Sequence, residues 1–172
     1  MINTDYKIEA LNILLDKSCV SERYYPLAEK RDGLTAGLLR MGCKRKSDAE
    51  KLSDDALAVL LPRGEITLFR RFLSLYDVDP RKLAEIPKLT PDGGESEAFT
   101  ELFHLPGVKQ IRASLYYRSG YRRVSDFVSA TVDEVRERTA RTVTENGLTC
   151  IVPLPKEIRT HIAVAKAFTD KV

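Results

Sequence analysis

The chain has 172 residues, 43% of them hydrophobic and 31% charged, which suits one compact domain or two small ones that share a core. Its net charge of +3 is too small to indicate a nucleic-acid-binding protein by itself. No apolar run approaches the roughly 20 residues of a membrane-spanning helix, so we expect no membrane partner. The N-terminal segment carries acids within its apolar pattern, unlike a signal peptide.

The three cysteines, Cys19, Cys43 and Cys150, are odd in number, and no two have Cys-x-x-Cys spacing. We therefore expect neither a disulfide framework nor a structural zinc site. Isolated thiols are typical of the reducing cytoplasm, where we expect the chain to reside. The phosphate-binding GxxxxGK[ST], the dinucleotide-binding GxGxxG and the zinc-binding HExxH patterns do not occur, so we predict no cofactor.

Helix-start signals dominate the first half of the chain, and no alternating strand pattern accompanies them. Residues 47–50 have the form of a capping box, in which the Ser47 oxygen accepts the N–H of Glu50. Pro62 is predicted to open a helix through Tyr76, because the N–H that proline lacks is unpaired at a helix start. The other predicted starts are Asn3 or Thr4, Ser21, Asp32, Ser53 and Pro80.

Residues 87–97 carry two prolines, two glycines and several polar side chains, and we predict a linker there. It separates a first helical unit, 1–89, from a second, 90–172. In the second unit residues 131–134 form another capping box, and Asn146-Gly147 is a helix stop. Predicted helices cover 96–103, 106–117, 125–128 and 131–144, and a last helix starts at Pro155. The predicted fold class is all-α.

Two stretches of the sequence, 38–57 and 116–135, match at a constant offset of 78 positions. Gly42 aligns with Gly120, and a Ser-Asp dipeptide follows five residues after each glycine. We therefore predict two pseudo-repeated helical units that pack together around one core. Chance similarity among helix caps is the alternative.

Residues 105–135 resemble helix-hairpin-helix domains, and they are similar to the helical C-terminal domain of the RNA polymerase alpha subunit. The resemblance is carried by Leu105-Pro106-Gly107-Val108, by Ala113 in the following helix, and by Gly120 at its end. Further matches are Val124, Asp126, Thr131, Glu134 and Val135. The resemblance implies that the two pseudo-repeated units are helix-hairpin-helix-like.

In that family the hairpin binds the DNA backbone without sequence preference, because its glycines let main-chain N–H groups approach a phosphate. The second glycine of the family pattern is replaced here by Lys109. If that position needs a positive φ, the lysine costs about 1 kcal/mol, and otherwise the turn has a different shape. The matching stretch of the first unit, 30–33, lacks a Pro-Gly pair and is expected to be structural.

No acidic residue occurs between His104 and Ser125, whereas five basic residues do. This run predicts a phosphate-binding face. Its tyrosines, Tyr116, Tyr117 and Tyr121, either add contacts to the ligand or pack between helices. The candidate nucleic-acid-binding residues are Gly107, Val108, Lys109, Arg112, Arg118, Arg122 and Arg123.

Other candidates are weaker. The basic residues at 40 and 44–46 form a second cluster that is bracketed by acids. Asp77 and Asp79 suggest a metal pair or, more simply, a helix cap before Pro80. Cys150 and His161 could be a nucleophile and a base, but no third catalytic group accompanies them.

The leading hypothesis is a non-catalytic module that binds nucleic acid, and the alternatives are a protein-interaction or self-assembly module and an enzyme with an unrecognised site.

Overall fold

The computed structural model describes residues 2–89 and 95–172, and every regular element within these ranges is a helix. The all-α prediction is confirmed. The α-helices before residue 90 are α1 Leu11–Leu14, α2 Tyr25–Ala28, α3 Arg31–Arg40, α4 Lys46–Glu50, α5 Asp54–Leu57, α6 Arg63–Leu73, α7 Pro80–Ala84 and α8 Ile86–Leu89. Those after it are α9 Ser96–Leu102, α10 Gln110–Arg118, α11 Val132–Glu145 and α12 Pro155–Phe168. Short 3-10 helices cover Ile8–Ala10, Glu22–Tyr24 and Val124–Phe127.

The last helix, α12, lies at the centre of the packing. It contacts α11 and Val124–Phe127 from the second half of the chain and α1 from the first half. Its buried Ile158, Val164 and Phe168 alternate with small alanines, which let neighbouring helices approach closely. One cluster of buried side chains therefore contains residues from both halves of the chain.

Three of the predicted caps are found where the sequence places them. The Asp79 carboxylate accepts the N–H of Arg81 at 2.9 Å and opens α7. The Ser53 hydroxyl accepts the N–H of Ala56 at 3.1 Å and opens α5. Thr131 and Glu134 form the predicted capping box at the start of α11, which ends before Gly147 at φ +60°.

The prediction that Ser47 caps a helix is wrong. The helix begins one residue earlier, at Lys46, and the carboxylate of Asp48 accepts the N–H groups of Lys44 and Arg45 at 2.8 and 3.1 Å. The Ser47 hydroxyl instead donates to Asp5 at 2.8 Å. A carboxylate inside the first turn reaches back to the free N–H groups, so the serine is not needed as a cap.

The boundaries of several other predicted elements differ. Asn3 caps no helix, because its side chain accepts the N–H of Asp5 at 3.0 Å in a local turn and the first helical turn starts at Ile8. The predicted linker 87–97 is too long, because α8 extends to Leu89 and α9 begins at Ser96. Its centre, 90–94, lies outside the described residues. The predicted helix 106–117 begins only at Gln110, after a turn.

The two aligned glycine turns have the same local geometry. Gly42 and Gly120 adopt φ +87° and +94°. Asp126 accepts the N–H groups of Arg122 and Arg123 at 2.9 Å each, as Asp48 does in the first half. That the two halves are pseudo-repeated units stays a prediction.

Candidate nucleic-acid interface

The predicted hairpin is a turn at residues 105–109 that is buried at Leu105 and Val108 and exposed at Gly107 and Lys109. Gly107 adopts φ +74° with open space around it, so its backbone conformation is what favours glycine there. Lys109 has φ −126° and ψ −168°, an extended conformation that any residue adopts. The lysine therefore costs no strain, and the turn needs only one glycine.

His161, on α12, anchors this turn from below the surface. Its Nε2 lies 2.8 Å from the Pro106 carbonyl oxygen and its Nδ1 lies 2.7 Å from the Tyr116 hydroxyl. Because a carbonyl only accepts, Nε2 carries the proton and Nδ1 accepts from the tyrosine. Burial lowers the pKa of His161, which favours this neutral form. With both nitrogens occupied, His161 is not the base that a Cys150 nucleophile would need.

The tyrosines of the acid-free run belong mostly to the core. Tyr116 and Tyr121 are buried, and each ring lies 4.9 Å from the ring of Phe127. Burial raises the pKa of both hydroxyls. Tyr117 is half-buried beneath the Arg122 guanidinium, at 4.7 Å from the ring centroid. The packing interpretation of these residues is therefore correct, and the ligand-contact interpretation is wrong for Tyr116 and Tyr121.

Arg112 is engaged in holding two segments together. Its Nε and Nη2 donate to the Glu157 carboxylate at 2.8 and 3.2 Å, and its Nη1 donates to the Ile151 carbonyl at 2.7 Å. These bonds join α10 to the connection that precedes α12. Its guanidinium is thus less available to an external phosphate than those of Arg118, Arg122 and Arg123, which are exposed.

A groove of about 1380 Å³ lies beside the turn, between α7 and α10, and we call it the cationic groove. Lys109 and Arg118 line it from α10 and its cap, and Arg81 and Lys82 line it from α7. Arg122 and Arg123 are not among its lining residues, so the predicted site residues fall into two groups. The groove also contains Asp79, Glu85 and Glu157, of which the first pairs with Arg81 and the last with Arg112.

Lys82 is the functional candidate that sequence reasoning missed. Its ammonium lies 5.6 Å from the centroid of the Phe103 ring, and burial, with the nearby charge of Lys109, lowers its pKa. Within the described residues, no carboxylate lies within 4.0 Å of either lysine amine. Two cations thus line one groove, and no carboxylate of the described residues is in contact with either.

Two of the four basic residues in the first-half cluster, Arg45 and Lys46, are neutralised internally. Arg45 pairs with Asp170 at 2.9 Å and also donates to the Asp5 carbonyl at 2.7 Å. Lys46 is buried and pairs with Asp77 and, at 3.5 Å, with Glu50. Asp77 is therefore a salt-bridge partner, and the described residues contain no group of carboxylates, cysteines or histidines that could hold a metal ion.

Comparisons with known proteins identified no family to which this chain is similar. A scan of protein-family models gave no match, and searches of curated proteins and of solved structures gave no match either. Within the described ranges, no helix is both long and apolar enough to cross a bilayer. Function therefore has to be inferred from the groove itself.

Proposed function

We propose that this chain binds the phosphate backbone of nucleic acid in the cationic groove, without sequence preference and without catalysis. The observation that carries the proposal is the pairing of Lys82 with Lys109, two lysines that lack a carboxylate partner among the described residues. A partly desolvated cation beside a like charge is unfavourable, and the negative charge of a bound phosphate offsets both the desolvation and the repulsion.

The start of α10 supports the same ligand. Its cap, Lys109, supplies no side-chain acceptor, so the first-turn N–H groups of α10 are not capped by that side chain. These groups and the helix dipole favour an anion. Arg118, at the other end of α10, lies about 13 Å from Lys109 along the helix axis. A bound strand that reaches both Lys109 and Arg118 therefore spans several nucleotides.

The salt dependence of binding tests the proposal. A fluorescein-labelled oligonucleotide is titrated between about 50 and 200 mM salt with wild type and with Lys82→Gln/Lys109→Gln, and binding is followed by anisotropy. Loss of two phosphate contacts is expected to reduce the slope of log K against log salt by about 1.5. The matched control is Lys51→Gln/Lys171→Gln, which removes the same charge from exposed lysines outside the groove.

Two results contradict the proposal. One is the absence of binding at low salt. The other is a slope that changes equally in the groove variant and in the control, because the charge would then act only through the net charge of the protein.

A second candidate function, protein interaction or self-assembly, is favoured by a second groove of about 500 Å³. Partly buried Ile13, Val132 and Ile162 line it beside the basic Arg159 and Lys166. Sedimentation velocity across a range of concentrations tests this candidate. A strict monomer that binds only nucleic acid contradicts it.

A further inference from the structure

Two of the most exposed large hydrophobic side chains lie in the cationic groove. Ile111, in the first turn of α10, is 69% exposed, and Ile151, in the connection before α12, is 77% exposed. Single exposed apolar residues are common on protein surfaces. Here two of them share one groove with Lys82 and Lys109, which have no carboxylate partner among the described residues, so the groove offers apolar and cationic contacts together.

The position of Ile151 is fixed by neighbouring residues. Its carbonyl accepts from Arg112, whose guanidinium also binds Glu157. Ile111 lies next to Arg112 in α10. Because Arg112 binds both Glu157 and the Ile151 carbonyl, it keeps Ile111 and Ile151 beside the same groove. Arg112 is therefore a positioning residue.

We infer that the groove binds single-stranded nucleic acid in preference to duplex, an inference that rests on the proposed function. In a single strand the base faces are uncovered, and they can contact aliphatic side chains while the phosphates contact cations. In a duplex the bases are stacked inside, so the outer surface presents mainly phosphates and sugars. A single strand can therefore contact both the isoleucines, through its bases, and the lysines, through its phosphates, whereas a duplex contacts mainly the lysines.

The test compares two ligands and three proteins. The ligands are labelled oligothymidylate of about 20 nucleotides and a mixed-sequence duplex of about 20 base pairs. The proteins are wild type, Ile111→Ser/Ile151→Ser, and Val59→Ser, in which an apolar residue that is 76% exposed and lies outside the groove is changed. Thermal unfolding of each variant verifies that it is folded.

Wild type is expected to bind oligothymidylate more tightly than duplex. The isoleucine double substitution is expected to weaken oligothymidylate binding by about fivefold, because the apolar contacts of two side chains with the bases are lost. Its effect on duplex binding is expected to stay below about twofold, and its salt slope is expected to equal that of wild type, because the phosphate contacts remain. Val59→Ser is expected to bind both ligands as wild type does.

The outcomes that overturn this inference are distinct from those that overturn the proposed function. Tighter binding of duplex, or equal weakening of both ligands by the isoleucine substitutions, overturns the single-strand inference, while a salt slope that depends on the lysines preserves the proposed function. If neither nucleic acid binds wild type and an acidic amphipathic peptide binds in an isoleucine-dependent way, both fail.

Discussion

At the scale of single residues, Lys82 is expected to lower the stability of the free protein and to favour the binding of an anionic ligand. Burial and the charge of Lys109 both lower its pKa, so its charged form is less favourable in the folded chain than in the unfolded chain. This unfavourable contribution is fully present below the folded pKa and is relieved as the pH rises through that value toward the unfolded pKa. A residue that destabilises the free protein and has no carboxylate partner among the described residues is expected to serve a ligand.

Neutralising this residue is therefore expected to separate stability from binding. Lys82→Met should raise the free energy of unfolding by about 0.5 kcal/mol, because it removes the desolvated charge and a sulfur–aromatic contact replaces that of the ammonium with Phe103. The same substitution should weaken oligonucleotide binding at low salt. Urea unfolding and anisotropy measure the two effects, with Lys51→Met as the matched control. A loss of stability, or unchanged binding, would argue against this role of Lys82.

Because His161 is buried with a lowered pKa, we expect the stability of the protein to depend on pH. Burial is the main cause that lowers its pKa; the Pro106 hydrogen bond and Glu157 oppose the shift, whereas Arg112 and Lys82 add to it. Since the unfolded chain binds the proton more tightly, stability is full above the unfolded pKa of about 6.5 and falls as the pH drops below it.

We expect His161→Gln to lose about 1–3 kcal/mol of stability at pH values above about 7, through its two buried hydrogen bonds. We also expect a flatter pH dependence below about pH 6.5. Tyr116→Phe is the control, because it removes the hydroxyl partner of Nδ1 and keeps the titrating imidazole. Urea unfolding across this pH range provides the measurement, and an unchanged slope in His161→Gln would refute the assignment.

At the scale of elements, the turn at residues 105–109 and α10 place the groups that we propose to bind the ligand. Gly107 allows the turn, His161 holds it, and Arg112 joins α10 to the connection at Ile151. The cationic groove is therefore shaped by contacts between separate elements, each with its own hydrogen bonds. Disturbing one of these contacts is expected to alter the groove before it unfolds the core.

The turn conformation makes a specific prediction for two glycines. Gly107→Ala should lower the free energy of unfolding by about 1 kcal/mol, because φ +74° is unfavourable for a residue with a Cβ. Crowding does not contribute, since the added Cβ would have no atom within 4 Å beyond its chain neighbours. Gly64→Ala, in the first turn of α6 and equally uncrowded, should instead stabilise the chain by about 0.5 kcal/mol. Chemical denaturation of both variants distinguishes backbone strain from crowding, and equal effects would contradict the account.

The elements were predictable where a local rule decides them. Asp79 and Thr131 cap helices as expected, because a side-chain oxygen next to free N–H groups is a local arrangement. The Ser47 cap is wrong because the helix starts before Ser47, where the Asp48 carboxylate accepts the N–H groups of Lys44 and Arg45. The burial of Tyr121 was not predictable, because an acid-free basic run looks the same whether its tyrosines face solvent or the core.

At the scale of the whole molecule, long-range contacts join the two ends of the chain. The Asn3 N–H donates to the Phe168 carbonyl at 2.8 Å, and Arg45 pairs with Asp170. The cationic groove likewise combines Lys82 from the first half with Lys109 from the second. Sequence reasoning found only Lys109, because nothing local to Lys82 indicates a neighbour 27 positions away. The small net charge of +3 also conceals such a local cluster.

An amide chemical-shift titration of isotope-labelled protein with oligothymidylate is the sharpest test of whether an anionic strand binds in the cationic groove. We expect the largest shifts at Lys82, at Lys109 and the start of α10, and at Ile151, and no shift at Val59. Shifts confined to the second groove at Ile13 and Val132, or no shifts at low salt, would contradict it.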